Sequence, residues 1–577
     1  MFFKERTVCI FIFILVFSTH GLSQHLENIK SQQPLKINGF LSTNQVFSSN
    51  TKDIYTGYYT GNMNFDIYGV QVPFTFVYSS QKTNFSHPFN QFGLHPSWKW
   101  IRVHAGYGTM TFSPYSLRGI LFFGGGVELT PPGLFHCSAM YGRLARAREG
   151  DTAGGQLKPV FRRMGYGFKA GMGRGKNFAD LNFFQAADDP SSLSVFPDSS
   201  GIMPEANTVV SLNAGAELFK HVMFSGEIAS SAITGDIRSE VVSEKPLGWQ
   251  PALWFMPPRS STICRRAVKA NLTYALSRFS FGAGYERVDP DFTTFGAYYF
   301  TNNMENYTVN ASVNFFENKV SLSGNTGLQK DNLNKTNMNN NRRFVGSMST
   351  TITPGERFNL NASYSNFTSY TNVRSTFDYI NQTTPYQHWD TLNYRQISQS
   401  INASSSYQLS AGKDRRQTIA AYLTCQTSGD QAGSGLPEKS RFYNAGVSYT
   451  LGLAQPGMNI IASMNYNRNE LTGTNTSTWG PAVTVSKMLL DKKMRTHFSC
   501  AWNTSFAHDA SAGHVMNFRA GIAYTIRKHH HVNLNALHQW REHKGMEVEI
   551  KRYATATVTL GYVYNFSLLD NKKRNDD

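Results

Sequence analysis

The chain has 577 residues, a formal charge of +17 and only 16% charged residues, against 42 Phe, 28 Tyr and 47 Gly. Beyond one stretch at the N-terminus it holds no apolar run of the ~18 residues a membrane helix needs, which excludes a helical membrane protein. Its basic residues are dispersed among alternating segments with no reader motif beside them, which excludes nucleic acid as a partner despite the charge. A chain rich in aromatics yet polar on average suits a transmembrane barrel, because lipid-facing and lumen-facing side chains cancel in any hydropathy window.

Lys4 and Arg6 precede an apolar run over residues 8–17, and small residues follow from Ser18. That layout predicts a secretory signal peptide over 1–23. Cys9 lies inside the apolar run, which argues against a lipoprotein. A short arm over 24–35 then leads to a barrel over 36–568 and a polar periplasmic tail over 569–577. So short an arm leaves no room for the plug domain that TonB-dependent transporters carry ahead of their barrels.

In a strand, successive side chains point to opposite faces, so the alternation of residue types reads out the two faces. After a first segment at 36–47, Tyr59, Gly61, Met63, Phe65 and Ile67 oppose Thr60, Asn62, Asn64 and Asp66, and Val72, Phe74, Phe76 and Tyr78 repeat the pattern. From 84 to 126 it becomes irregular. Ile101, Val103, Ala105 and Tyr107 alternate, but the Pro and Gly punctuation predicts bends or a segment folded into the lumen. Regularity returns with Met164, Tyr166, Phe168, Ala170 and Met172 against Arg163, Gly165, Gly167 and Lys169. It continues through hairpins whose connections alternate between tight and long.

The last segment sets Ala554, Ala556, Val558, Leu560, Tyr562, Tyr564 and Phe566 against Thr555, Thr557, Thr559, Gly561, Val563 and Asn565. A tilted membrane strand needs about 9–11 residues, with aromatics at the lipid boundary, and this one qualifies. Roughly 25 such segments occur, and a barrel with both ends in the periplasm needs an even number. The expected fold is therefore all-β: a single transmembrane antiparallel β-barrel of 24 or 26 strands, with short periplasmic turns and long extracellular loops.

Several phrases bordering the loops carry a resemblance: Pro88-Phe-Asn-Gln-Phe-Gly-Leu-His-Pro96, Phe112-Ser-Pro-Tyr-Ser-Leu117, Arg163-Met-Gly-Tyr-Gly-Phe-Lys-Ala-Gly171, Phe183-Phe-Gln-Ala-Ala-Asp-Asp189, Tyr285-Glu-Arg-Val-Asp-Pro290, Phe295-Gly-Ala-Tyr-Tyr-Phe300 and Leu392-Asn-Tyr-Arg-Gln-Ile397. Together they resemble large outer-membrane β-barrels of Bacteroidota-type bacteria. The resemblance implies the barrel fold and an outer-membrane location, and carries over no catalytic residue.

Little in the sequence points to chemistry. Gly171-Met-Gly-Arg-Gly-Lys176 joins two strands, whereas a phosphate-cradling loop must open a helix. His529-His530-His531 are adjacent strand residues that point apart and cannot all reach one ion. Cys137, Cys264, Cys425 and Cys500 are too widely spaced for a metal knuckle or a disulfide framework, and Cys137, Cys425 and Cys500 share the lipid-facing parity. No nucleophile stands out for a lumen-bound lipid hydrolase. The chain is read as a non-enzyme with neither metal nor cofactor.

The stronger signal is the inward face. Parity turns Arg102, Arg163, Lys169, Lys269, Arg495 and Arg519 into the lumen, together with Asp180, Glu217, Glu227 and Glu286. Either these charges pair and merely hold the barrel's shape, or the bases form a constriction that favours anions. The aromatic stretch 292–300, with Trp249 and Trp254, is either a lid over the pore mouth or a surface for a ligand or partner. Two functions follow from these alternatives. One is a passive or gated channel for small solutes, anionic if the bases stand unneutralised. The other is an accessory component of an outer-membrane assembly or secretion complex, its lumen plugged and its outer loops or tail holding protein partners. On either reading the chain meets outer-membrane lipids and the phosphates of lipopolysaccharide.

Overall fold

The computed structural model describes residues 34–49, 54–80, 91–150, 159–193, 202–242, 250–298, 301–331, 333, 342–367, 369–372, 394–397, 399–429, 439–471, 473–508, 510–544 and 550–569. The expected signal peptide, most of the expected arm, Trp249 and the residues beyond Leu569 lie outside the described residues. So do Tyr299, Phe300 and the stretch 84–90.

Twenty-six antiparallel strands close into one barrel. They run from Lys36–Ser48 to Ile550–Leu568, and these two pair along their length, Ile37 opposite Leu568 through Ser48 opposite Thr557. Closure leaves no strand edge unpaired, which a lipid-embedded sheet requires. The irregular region resolves the strand count. Gln91–Leu94 and Ser97–Trp98 are two pieces of one strand interrupted at His95 and Pro96, both pieces pairing with the strands on either side. Arg118–Leu129 and Phe135–Ala145 supply two more strands whose alternation the glycines obscure.

One face of nearly every strand carries exposed apolar side chains. Leu181 (45%), Phe281 (53%) and Val447 (54%) are typical, and water would not tolerate so large a continuous band. Lipid covers it. Cys137, Cys425 and Cys500 sit on this face, each paired across the sheet with a lipid-facing neighbour (Ala170, Ile401 and Phe518). At the end that carries the termini, Tyr564 stacks on His530 (4.8 Å) and Phe566 (5.6 Å), part of an aromatic boundary ring. His531 points the other way and meets Thr525, so the three histidines do not converge. Gly173 (φ 95°) and Gly175 (φ 62°) supply the left-handed backbone of a tight hairpin turn, which accounts for the glycine-rich stretch there.

The end with the termini and the short turns is the periplasmic one in barrels of this class. The opposite end is not uniformly long-looped: 472–473 and 508–509 connect their strands as briefly as any periplasmic turn.

Candidate functional site

Two connections at the extracellular end fold inward, between the strands Ile101–Thr111 and Arg118–Leu129 and between Phe279–Val288 and Met304–Phe315. The first, 112–117, is almost wholly buried: Phe112, Ser113, Tyr115, Ser116 and Leu117 expose 3% or less. Phe112 and Leu117 pack with Met110, Phe122, Met140, Leu144, Phe184 and Phe295 in a dry core inside the lumen. Inward glycines make room for it. A Cβ on Gly167 would lie 2.9 Å from the Phe112 ring, and one on Gly142 2.8 Å from Phe122. Burying each Phe or Leu contributes roughly 1.5–3 kcal/mol, so the plug holds without covalent help.

Polar contacts fix its register. The Arg118 amide donates to Gly296 O (2.8 Å) and the Thr294 hydroxyl to Ser116 O (2.5 Å), so one loop lies along the other. Asn207 of the wall clamps the second loop, accepting from the Phe295 amide (3.1 Å) and donating to Thr293 O (3.2 Å). The Tyr115 hydroxyl donates to Glu286 (2.5 Å), and Glu227 is buried beside Ser113 and Ser211. Burial and the Glu286 carboxylate hold the Tyr115 phenol far above its ordinary range.

Four of the six bases singled out by parity meet acids. Arg163 makes two bonds to Asp188 (2.7 and 2.8 Å), reaches Glu205 (3.1 Å) and lies 3.6 Å over the Phe295 ring. Lys169 pairs with Asp180 (2.7 Å), which His136 also contacts (2.7 Å). Lys269 lies 3.9 Å from Glu286, and Arg102 4.0 Å from Glu128. Glu217 takes its cation, Lys176, from the adjoining turn. Asp180, Asn213, Glu227, Lys269, Glu286 and Asn306 follow one another along a single row of cross-strand partners, a ladder of acidic, amide and basic groups across the lumen wall. Beside it the His95 and His104 rings meet through Nδ1 atoms 3.0 Å apart, with Glu128 on the far side of His104.

Arg495 and Arg519 belong to a different environment. His497 lies between them, and Arg495 and His497 line a recess of about 590 Å³ with Arg416, Thr418, Asn459, Ile461 and Ser486. Among the described residues, the strands from Arg342–Gly355 to Ile550–Leu568 place no carboxylate on an inward position. Glu470 and Glu542 have outward parity and pair there with Arg441, Arg468 and Arg552. Arg416 and His497 share the parity of their inward neighbours Thr418 and Arg495, a signal present in the sequence but not singled out. Glu128 is hidden in the sequence because glycines break the alternation of its strand.

The aromatic loops divide. Phe292 and Phe295 are buried in the lumen, as a lid would be. Pro251–Trp254 and Met256 instead pack on the outside of the wall. Met256 covers Thr208 and Thr234, and Phe255 meets lipid-facing Phe183 (4.8 Å), leaving Trp254 68% and Phe255 50% exposed.

Closure, the apolar outer band and the polar lumen define a transmembrane β-barrel of the outer-membrane class. No protein-family profile and no curated protein matches the chain. Among solved structures it is similar to the ferric enterobactin receptor PfeA of Pseudomonas aeruginosa (TM-score 0.42, 8% identity, 93% of this chain and 81% of that one). It is also similar to the translocation pore of the P pilus usher PapC (0.34, 10%, 92% and 99%) and to OccAB3 of Acinetobacter baumannii (0.28, 10%, 67% and 98%).

Proposed function

We propose that the chain is an outer-membrane channel for small anionic solutes, with the conducting path along its C-terminal wall and the infolded loops closing the opposite side. The observation that carries this reading is the inward set Arg416, Arg495 and His497 on strands that, among the described residues, turn no carboxylate inward. Uncompensated positive charge lining a pore lowers the barrier for anions and raises it for cations. Reversal potentials across planar bilayers in a salt gradient test it: anion preference that falls in Arg416→Ala and Arg495→Ala supports the reading, and cation preference or no selectivity sinks it.

A second reading has its own support. The exposed Trp254 and Phe255, held against the outer wall, suit a lateral contact with outer-leaflet lipid, lipopolysaccharide or a protein partner. Silent bilayers together with stoichiometric co-purification of another subunit would favour an accessory component over a channel.

A further inference from the structure

The recess on the C-terminal wall has the donors of a binding site as well as the charge of a selectivity region. Arg416 and Arg495 come from strands that are not neighbours, Arg415–Gly429 and Met494–Ala507, and the wall between them contributes Thr418, Asn459 and Ser486. Two guanidinium forks, two hydroxyls and an amide offer far more donors than a halide or a single carboxylate can use. A group with three acceptor oxygens and about two negative charges can engage both forks, one reaching in from either end of the recess. Two further details shape the site. A Cβ on Gly521 would lie 2.0 Å from Cε1 of His497, so this glycine leaves room for the imidazole to lie against the wall. Ile461, an apolar side chain at an inward position and 38% exposed, also lines the recess. At about 590 Å³ the space exceeds what a bare phosphate needs and falls in the range of small-molecule sites.

We infer that this recess binds small organic phosphate monoesters, with the phosphoryl group held between Arg416 and Arg495 and the organic part lying over Ile461. The inference rests on the channel reading and names its solute class.

The test is block of the potassium chloride current through the full-length protein by glucose 6-phosphate, inorganic phosphate and glucose. Glucose 6-phosphate should block reversibly, inorganic phosphate at least several-fold more weakly, and glucose not at all. Arg416→Ala and Arg495→Ala should each weaken the sugar-phosphate block tenfold or more. Ile461→Ser should reduce it to the level of inorganic phosphate, and Lys269→Ala, across the lumen, should leave it unchanged. Equal block by glucose, or block that survives the Arg416→Ala/Arg495→Ala double variant, overturns the subsite while anion selectivity still upholds the channel. Equal block by inorganic phosphate reduces the site to one for the free ion and overturns the organic class. If bilayers stay silent the channel reading falls. Calorimetric titration of the detergent-solubilised protein with glucose 6-phosphate then decides the subsite, and no heat of binding overturns it.

Discussion

The lumen wall on strands 101–331 and the wall on strands 399–568 follow one alternation but treat charge in opposite ways. On the first wall a row of acidic, amide and basic side chains runs beside inward glycines and large apolar residues, two loops lie against them, and each inward Lys or Arg discussed above has a carboxylate within 4.0 Å. On the second the inward positions are mostly Asn, Ser and Thr, Arg416 and Arg495 face water, and the described acids point outward or sit in turns. Desolvation accounts for the difference. A cation taken out of water beneath a plug loses several kcal/mol unless an anion accompanies it, whereas a cation facing a wet lumen needs no partner. The bases that are neutralised are therefore structural, and those left without acids set the field a solute meets.

The largest expected effect separates these roles by stability. Asp180→Ala strands Lys169 and His136 where the Asp180 side chain was only 5% exposed, and breaking a buried pair costs about 3–5 kcal/mol. Arg495→Ala, at an exposed position, should cost less than about 0.5 kcal/mol. Urea unfolding of both variants in detergent checks this, and equal midpoints would abolish the distinction between the walls.

Next comes the plug. A Cβ on Gly296 would stand 2.2 Å from Ser116 O and 2.9 Å from Leu117 Cα, both main-chain atoms with little freedom to yield. Gly296→Val should therefore push the loops apart, at about 1–3 kcal/mol for overpacking, and raise the single-channel conductance several-fold. Unchanged conductance would mean that current never passes near the loops, confining it to the C-terminal wall. A smaller effect is expected from giving that wall an acid: Ser486→Glu places a carboxylate in the recess with Arg495. An opposite charge a few ångströms away in a wet environment is worth on the order of 1 kcal/mol, so the anion-to-cation permeability ratio should fall several-fold. A ratio that does not move would separate the recess from the conducting path.

The alternation was enough to read the barrel, because a period of two is imposed by the backbone itself. It failed where a strand's inward face is glycine. Gly124, Gly126 and Gly142 blur the pattern in the strands that bear Glu128 and Met140. Their significance appears only once Met110, Phe112 and Phe122 are seen to fill the space above them. Partnership was not legible either. Lys169 and Arg495 have the same parity, and only the register that brings Asp180 to the first and a serine and threonine wall to the second tells them apart. The loops resisted for a third reason: 112–117 and 251–256 both combine large apolar residues with a proline. One turned into the lumen and the other out toward lipid because of the cavity each found, not because of composition.

The mildest test concerns pH, and it applies to the plugged side alone. Burial raises the Glu205 carboxyl above its ordinary range, opposed by Arg163 and reinforced by Asp188. Because the folded state favours the protonated form, the stability this group lends to the extracellular cap is complete below the ordinary carboxylate range. It is lost as pH rises through the elevated value. Glu205→Gln removes that dependence, so its thermal unfolding should match the parent at pH 4 and exceed it slightly at pH 7. The carboxylate side chain is 39% exposed, so water screens most of the effect and the gain should be small. Parallel profiles for the two proteins would show that Arg163 and solvent together neutralise the cost of burying Glu205. Across the lumen no guanidinium group changes charge over the same pH step. Any loss of anion preference between pH 4 and 7 would then have to come from His497, the one titratable imidazole in the recess.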